Sequence, residues 1–303
     1  MSWLDRYFFE PNLAQKMLAF ALLPFSFLYA LIAILNANFR KKISFNVPII
    51  SVGNLTLGGN GKTPICKAIA KLFKDTKRVF IVLRGYKRKS KGLVVVKSEG
   101  KIHCDVAISG DEAMEYALNE AISGVIVSED RTKGIKEALN LKASLILLDD
   151  AFSKRHIEKF EILLESARKP YFSFVLPSGA YRLPTCFAKR ADFVAVENEH
   201  FARHSYVKEN PKAVLITAIA KPFRLYEHFI KARACYFFAD HYEFKKSELE
   251  ALLKKHNCDT VMLTFKDFVK IKEFGLKTQL IELDIELRED FKKAILSYVE
   301  NFK

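Results

Sequence analysis

The sequence predicts an α/β protein with a doubly wound parallel sheet, a second, smaller α/β domain and an N-terminal membrane-associated helix. Short apolar runs rich in β-branched residues alternate with stretches of helical periodicity, which is typical of a parallel sheet covered by helices. A second set of such runs follows residue 205, and an uncharged run of 19 residues precedes both sets. These three observations divide the chain into residues 1–42, 43–205 and 206–303.

The N-terminal segment contains an apolar run from Met17 to Leu35 without a charged residue. As a helix it is about 28 Å long at ~1.5 Å per residue, close to the ~30 Å hydrocarbon thickness of a bilayer. Pro24 is expected to kink it. Lys16 precedes the run, and the basic cluster that follows it favours a cytoplasmic location for the rest of the chain; this cluster is Arg40, Lys41 and Lys42. We predict that the helix spans the membrane or lies in its interface.

Two other interpretations of this run stay open. A secretory signal peptide needs a basic start and a small-residue cleavage site, but Asp5 and Glu10 lie near the start and no clear A-x-A motif follows. A buried core helix is the second alternative, because the run is only just long enough to span a bilayer.

Residues 43–205 predict the main sheet domain. Its strands are apolar runs that look buried on both faces, as parallel strands are; they are residues 47–52, 79–83, 93–96, 124–127 and 144–148. Helical periodicity separates them at residues 65–73, 111–121 and 132–139. From residue 206 a second α/β set follows, with strands at 214–217, 234–238 and 261–264 and a lysine-rich helix at 245–255.

The segment Thr56-Leu-Gly-Gly-Asn-Gly-Lys-Thr63 lies between the first strand and the first helix of the main domain. A P-loop needs glycines so that backbone N–H groups point at a phosphate chain, a lysine that reaches the β- and γ-phosphates, and a hydroxyl that holds Mg²⁺. The residues that meet these needs are Gly58, Gly59, Asn60, Gly61, Lys62 and Thr63. The strict pattern has glycine where this chain has Thr56, so a glycine-rich turn without a nucleotide is the alternative. We predict a P-loop NTPase-type sheet.

Three acidic groups are candidates for chemistry. Asp149 and Asp150 end a strand, where a P-loop fold places the carboxylate that organises Mg²⁺, although such a pair is also typical of a plain turn. Asp111 begins a predicted helix and is a candidate general base, or simply a helix-capping residue. His241 follows Asp240 after an apolar run and either orients that base or is an ordinary surface histidine.

Composition limits the partners. The net charge of +14 favours an anionic partner, which is nucleic acid, a phosphorylated substrate or an acidic membrane. Aromatic residues concentrate in apolar runs and do not interleave with basic residues, so we expect no nucleic-acid partner. The cysteines are far apart and odd in number, which indicates neither a zinc site nor a disulfide framework; they are Cys66, Cys104, Cys186, Cys235 and Cys258.

Taken together and in order, these motifs resemble one family, the tetraacyldisaccharide 4′-kinases, which are membrane-associated enzymes of lipid A synthesis. The matching stretches are Val52-Gly-Asn54 with the glycine-rich loop, Leu83-Arg-Gly-Tyr86, Gly110-Asp-Glu112, Asp149-Asp-Ala-Phe152, Leu176-Pro-Ser-Gly-Ala-Tyr-Arg182, Arg190-Ala-Asp192 and Asp240-His241.

The resemblance implies a site. It implies that Lys62 and Thr63 bind ATP and Mg²⁺, that Asp111 is the base, and that His241 assists it. Lys62, Asp111 and His241 are therefore the predicted catalytic residues, and the predicted metal ligands are Thr63, Asp149 and Asp150, with the choice between the two aspartates open.

The chain departs from the family pattern at several positions. The family usually has D-D-G-F-Q-H, where this chain has Ala151 for the glycine and Ser153-Lys154 for the last two residues. It tends to have glutamate at the positions of Leu183 and Phe265. The departures leave the phosphoryl-transfer residues in place.

The resemblance implies an ATP-dependent lipid kinase at the cytoplasmic face of the inner membrane. It would transfer the γ-phosphate of ATP to the 4′-hydroxyl of a tetraacyldisaccharide 1-phosphate, an acylated disaccharide phosphate lipid. The alternative is a membrane-tethered P-loop ATPase that acts on a protein partner. A GTPase is disfavoured because the sequence lacks an N-K-x-D motif.

Overall fold

The computed structural model describes residues 3–38, 41–57, 61–166, 168–240 and 242–302, with residues 36–38 described by their backbone alone. Within these ranges the helices are α1 (Trp3–Phe9), α2 (Leu13–Ala21), α3 (Leu23–Asn38), α4 (Lys62–Phe73), α5 (Val106–Ser109), α6 (Asp111–Ala117), α7 (Arg131–Asn140), α8 (Tyr226–Phe229), α9 (Lys246–Lys255), α10 (Phe265–Ile271) and α11 (Glu289–Glu300). The strands are β1 (Ile49–Gly53), β2 (Val79–Leu83), β3 (Val94–Ser98), β4 (Lys101–Ile102), β5 (Gly124–Val127), β6 (Leu145–Asp149), β7 (Phe160–Leu164), β8 (Phe193–Ala195), β9 (Phe201–Tyr206), β10 (Asn210–Thr217), β11 (Ala232–Phe237), β12 (Thr260–Thr264) and β13 (Thr278–Leu287).

The larger sheet, over the described residues, has eight strands in the order β4-β3-β5-β2-β6-β1-β7-β8. From β5 to β8 every pair of neighbours runs parallel. Alternate residues of the central strands face opposite sides: Ile50 and Val52 pack with α4, α6 and α11, whereas Ile49 packs with α7. Helices on both faces of a parallel sheet confirm the predicted doubly wound α/β fold.

One strand of this sheet differs from the prediction. Residues 93–96 were expected to form a parallel strand, but β3 runs antiparallel to β5 and pairs with β4. The β3–β4 hairpin turns at Glu99 and Gly100, which both have positive φ (48° and 76°), as a tight two-residue hairpin requires. Periodicity alone does not separate the two strand directions, because β3 is apolar although it lies near the sheet edge.

The smaller sheet has the order β11-β10-β12-β13-β9 in the part of the chain that the structure describes. β10 to β13 are parallel to their neighbours, and β9 pairs antiparallel with β13. Helix α9 packs on it through Leu249 and Leu253, which contact Val214 and Leu263 in one core cluster. The sheet therefore draws on residues 201–287, and the domain ranges 43–205 and 206–303 stay a prediction.

The last helix, α11, returns to the larger sheet. Phe291, Ile295 and Val299 are buried in the same core cluster as the β1 residues. The Tyr298 hydroxyl donates a hydrogen bond to the backbone oxygen of Ile49 at 3.1 Å and accepts one from its N–H at 3.3 Å. The end of the chain thus braces the central strand β1.

The apolar N-terminal run forms two helices instead of one kinked helix. No single helix among the described residues has the length and hydropathy to cross a membrane; α2 with the first part of α3 passes that test only as a pair bent by 53°. Pro24 lies in the first turn of α3, where its missing N–H costs no helical hydrogen bond. The break between α2 and α3 therefore falls at Leu22, two residues before Pro24.

Helix α3 has two different faces. Ser26 donates from its hydroxyl to the backbone oxygen of Val175 at 2.9 Å, and Ala33 packs against the core cluster that includes Phe152 and Phe187. The opposite side exposes large apolar side chains, which on α2 and α3 are Leu13, Met17, Leu18, Phe20, Phe25, Phe27, Leu28, Leu31, Ile32 and Leu35. The helix is therefore attached to the fold on one side and apolar on the other.

Candidate active site

The candidate active site lies at the carboxyl ends of β1 and β6, two parallel neighbours in the centre of the larger sheet. Val52 pairs in register with Asp149, so the strands end side by side. Asn54 follows β1, and Asp150 follows β6. Open α/β sheets bind ligands at this edge.

Helix α4 begins at the end of the predicted P-loop, with Gly61 as its N-cap. Gly61 has φ +75°, in the left-handed region that favours glycine, and no side chain with which to cap the helix. The first backbone N–H groups of α4, which include that of Thr63, can therefore bind an anion, and the helix dipole favours one there.

Lys62 points toward the strand ends. Its Nζ donates to Asn54 Oδ1 at 3.1 Å and lies 3.8 Å from Asp150 Oδ1. Asn54 Nδ2 donates in turn to the backbone oxygen of Thr56 at 2.7 Å. Thr56 does not have a positive φ and is 5% exposed, so this position does not need the glycine of the strict motif.

Arg182 holds Asp150 with a bidentate ion pair. Its Nη1 and Nη2 each donate to one oxygen of the Asp150 carboxylate at 2.8 Å, and Nη2 also donates to Asn54 Oδ1 at 2.7 Å. Burial raises the pKa of Asp150, but the hydrogen bonds from Arg182 and the positive charges of Lys62 and Arg182 outweigh it and lower the pKa to about 2. Asp150 is therefore an ionised anchor between two cations.

Asp149 has a different environment. It is 4% exposed, and its Oδ2 accepts a hydrogen bond from the Tyr116 hydroxyl at 2.8 Å. Its other oxygen, Oδ1, is buried and has no hydrogen-bond partner among the described residues. Burial raises the pKa of Asp149, against the lowering effect of the Lys62 charge. Oδ1 is thus a buried oxygen that a cation would satisfy.

Asp111 begins α6, as the sequence predicts. Its Oδ2 lies 3.6 Å from Lys270 Nζ, and Lys270 also lies 3.4 Å from Asp267 Oδ1. Lys270 belongs to α10 beside the smaller sheet, so the two parts of the chain meet at Asp111. The preceding Gly110 has φ 84°, and a Cβ there would lie 3.2 Å from the backbone oxygen of Tyr86. The chain enters α6 through a conformation that glycine favours.

The neighbouring Glu112 interacts electrostatically with Asp149 and Lys62. Burial and the charge of Asp149 raise the pKa of Glu112 to about 7, while the charges of Lys266 and Lys62 oppose the rise. Lys266 Nζ lies 3.1 Å from Asp240 Oδ1. The structure therefore brings the start of α6, the strand-end aspartates and Asp240 into one charged site.

Most predicted site residues are placed by the structure. Lys62 lies 3.8 Å from Asp150, which follows Asp149 at the end of β6. Thr63 lies in the first turn of α4, and Asp111 begins α6. The chemical roles of these residues stay predictions. Gly58, Gly59, Asn60 and His241 lie outside the described residues.

Sequence reasoning assigned no role to several residues of the site. Tyr116 and Lys270 were missed, because no motif marks them before the fold brings them together, and Asn54 appeared only as the last residue of a matching stretch. Arg182 was identified only as the basic residue that ends one of the matching stretches, without a partner or a role.

Three of the departures from the family pattern have local explanations. Ala151 is fully buried and does not have a positive φ, so it takes the place of a glycine without strain. Leu183 is buried in an apolar cluster. Phe265 packs under Lys67, whose Nζ lies 4.7 Å from the ring centroid.

Comparison with known proteins identifies the family. A family model described as LpxK, tetraacyldisaccharide-1-P 4′-kinase, matches residues 18–300. The curated tetraacyldisaccharide 4′-kinase of Campylobacter jejuni is 69% identical over 99% of this chain and 97% of its own, and that of Helicobacter pylori is 40% identical over 99% and 97%. The crystal structure of LpxK from Aquifex aeolicus in complex with ATP aligns with a TM-score of 0.79 and 28% identity, over 94% of this chain and 100% of that chain. The chain belongs to the tetraacyldisaccharide 4′-kinase family.

Proposed function

We propose that this member of the family transfers the γ-phosphate of ATP, with Mg²⁺, to the 4′-hydroxyl of a tetraacyldisaccharide 1-phosphate at the cytoplasmic face of the inner membrane. The observation that carries the proposal is the meeting of an uncapped helix start, Lys62 and two strand-end aspartates at one edge of the larger sheet. This is the arrangement that phosphoryl transfer requires for the donor.

The donor phosphates are held by α4 and Lys62. The backbone N–H groups at the start of α4 bind phosphate oxygens, and the Lys62 ammonium neutralises charge on the β- and γ-phosphates. Asn54 and Asp150 keep Lys62 at the strand ends before the nucleotide arrives. The site is thus preorganised, which is the main protein contribution to this reaction.

Mg²⁺ fits the oxygen donors that are present. Asp149 Oδ1, buried and without a partner among the described residues, suits a hard cation. The Thr63 hydroxyl, which follows Lys62 in the first turn of α4, would be the second donor. Both Asp150 oxygens already accept from Arg182, so we assign the metal contact to Asp149. Among the described residues, no cluster of three or more His, Cys, Asp or Glu side chains forms a metal site. A few protein ligands alongside substrate phosphates are what Mg²⁺ usually takes. Mg²⁺ would neutralise charge on the phosphates.

Asp111 accepts the proton of the acceptor hydroxyl, and His241 assists it. The base has to stand near the γ-phosphate, and a position of α6 on this side is supported by the neighbouring Glu112, whose pKa responds to the charges of Asp149 and Lys62. Lys270 holds the Asp111 carboxylate from the other side.

The acceptor enters from the N-terminal helices. A cavity of about 340 Å³ is lined by Tyr29 and Ala33 of α3 and also by Asp150 and Arg182. The cavity therefore joins the apolar helix to the charged residues at the strand ends. An acylated sugar that keeps its chains in a bilayer fits this geometry, because each buried CH₂ group contributes ~0.8 kcal/mol to membrane binding.

The test is a transfer assay. We expect that γ-labelled ATP, Mg²⁺ and the disaccharide 1-phosphate in detergent give a labelled lipid in the presence of the full-length protein. Labelled inorganic phosphate that forms at the same rate with and without the acceptor, with no labelled lipid, would favour the ATPase alternative. Omitting the acceptor and omitting Mg²⁺ are the controls.

Membrane attachment is tested on the exposed face of α3. Phe27 and Leu31 are one helical turn apart and are 74% and 43% exposed. We expect that Phe27→Glu with Leu31→Glu moves the protein from the pellet to the supernatant when it is sedimented with phospholipid vesicles, because two charges would enter the hydrocarbon boundary. Both side chains point away from the core, so ATP binding should not change.

The matched control places the same charges on another exposed apolar pair. Tyr226 and Ile230 lie four residues apart near the smaller sheet and are 76% and 86% exposed. Tyr226→Glu with Ile230→Glu should sediment as the unmodified protein does. Equal sedimentation of both double variants would show that α3 is not the anchor.

A further inference from the structure

Arg203 of the smaller sheet touches the P-loop of the larger one. It lies on β9, and its guanidinium lies directly against Gly61. A Cβ built on Gly61 would be 2.0 Å from Arg203 Nη2 and 2.6 Å from Nη1, so a side chain at position 61 and the present position of Arg203 exclude each other. Glycine therefore suits position 61 for two reasons: the backbone there is left-handed, and the Arg203 guanidinium approaches too closely for a side chain.

Glu197 fixes the direction of this guanidinium. Its Oε1 lies 2.9 Å from Arg203 Nε, while the two Nη groups lie against Gly61. Its Oε2 lies 3.5 Å from Arg224 Nη2. Arg203 is only 12% exposed, and its guanidinium also lies over the Phe201 ring at 5.5 Å. The side chain is held in one orientation, as a preorganised binding group is.

Three cations gather around Glu197. Arg203, Arg224 and Lys221 all interact with this carboxylate. Burial lowers the pKa of Arg203, and the charge of Arg224 lowers it further; burial and the charges of Arg224 and Arg203 do the same to Lys221. Like charges gathered next to a phosphate loop are stabilised when an anion binds there.

We propose that Arg203 binds the polyphosphate chain of ATP from the side of the smaller sheet, that Glu197 orients its guanidinium, and that Arg224 and Lys221 add positive charge behind it. This inference rests on the proposed function, because it takes the loop before α4 as the site of the donor phosphates. An arginine offers a planar fork that pairs with phosphate oxygens, which the point charge of Lys62 does not. The nucleotide would thus be held by both sheets.

The other explanation of the contact is a purely structural brace, in which Arg203 joins β9 to the loop and binds no ligand. The two explanations differ in one measurable respect. A brace supports ATP, ADP and AMP binding alike, whereas a phosphate ligand discriminates by the number of phosphates.

The experiment measures the dissociation constants of ATP, ADP and AMP for the full-length protein in detergent by isothermal titration calorimetry. We expect Arg203→Met to weaken ATP binding by about tenfold or more, the value of one lost charge-assisted hydrogen bond, and AMP binding much less. Arg203→Lys should recover part of the ATP affinity. Arg233→Met, which removes an exposed arginine of β11, is the matched control and should leave all three constants unchanged.

The outcomes separate this inference from the proposed function. Equal weakening of ATP and AMP, or unchanged ATP affinity with a lower melting temperature, would assign Arg203 to a brace and overturn the inference alone. An unmodified protein that binds no ATP would overturn both. If Arg203→Met does not fold, Glu197→Gln tests the same point, since it keeps the cation, loses its orientation and should reduce ATP affinity more than AMP affinity.

Discussion

Replacing Asp111 with Asn is expected to lower kcat for lipid phosphorylation about 10²- to 10⁴-fold, the usual contribution of a positioned general base. The amide has the same shape as the carboxylate but does not accept the proton of the attacking hydroxyl. Lys270 keeps its contact with Asp267 at 3.4 Å, so the packing of α10 on α6 should survive. The KM for ATP should therefore stay close to that of the unmodified protein.

The measurement is the initial rate of labelled lipid formation at saturating ATP and acceptor, together with the melting temperature of each protein. Asp75→Asn, which changes an exposed carboxylate just beyond α4, is the control and should have full activity. A kcat for Asp111→Asn within threefold of the control would remove Asp111 from the role of base.

Replacing Lys62 with Met is expected to lower kcat for lipid phosphorylation about 10²- to 10³-fold. The substitution removes the preorganised positive charge that stabilises the transferring phosphate. The fold should tolerate the change. Asp150 would still accept two hydrogen bonds from Arg182, and Asn54 would still accept one from the same arginine. The buried Asp149 loses the charge of Lys62 but keeps that of Arg131 nearby. It is therefore not left without a cation, which is the usual reason that such a substitution unfolds a protein.

Lys71→Met is the matched control for this substitution. Lys71 lies on the same helix, is 69% exposed and pairs with the equally exposed Asp284 at 3.6 Å. Exposed ion pairs of this kind contribute little to the free energy of unfolding, and Lys71 lies outside the candidate site. The kcat and the melting temperature should therefore stay unchanged. Transfer rates that are the same for both lysine variants would mean that Lys62 does not contact the donor phosphates.

The central strands could be predicted from the sequence because burial on both faces leaves continuous apolar runs. β2 and β5 have the predicted bounds, and β1 and β6 differ from them by one or two residues. β13 was missed, since its second half is mostly exposed and carries charges such as Asp284 and Glu286. α11 was missed as well, because its apolar residues recur only at helical spacing between charged ones.

The site was predictable only where one short segment carries the chemistry. The glycine-rich loop and the aspartate pair stand beside apolar strands, so their place at the sheet edge follows from chain order. The ion pair between Arg182 and Asp150, and the contact of Arg203 with Gly61, join segments far apart in the chain. The first pair depends on how distant loops of the larger sheet meet, and the second depends on how the two sheets meet. No local sequence pattern predicts either pair.

The hydrogen bonds between Tyr298 and Ile49 join residues 249 positions apart, and they have a consequence for folding. β1 leads directly into the loop before α4, yet the helix that braces it comes from a distant part of the sequence. Contacts of such long sequence separation form late and slowly. We therefore expect the contact of α11 with β1 to be one of the later steps of folding, so that the strand before this loop gains its support after the local elements have formed.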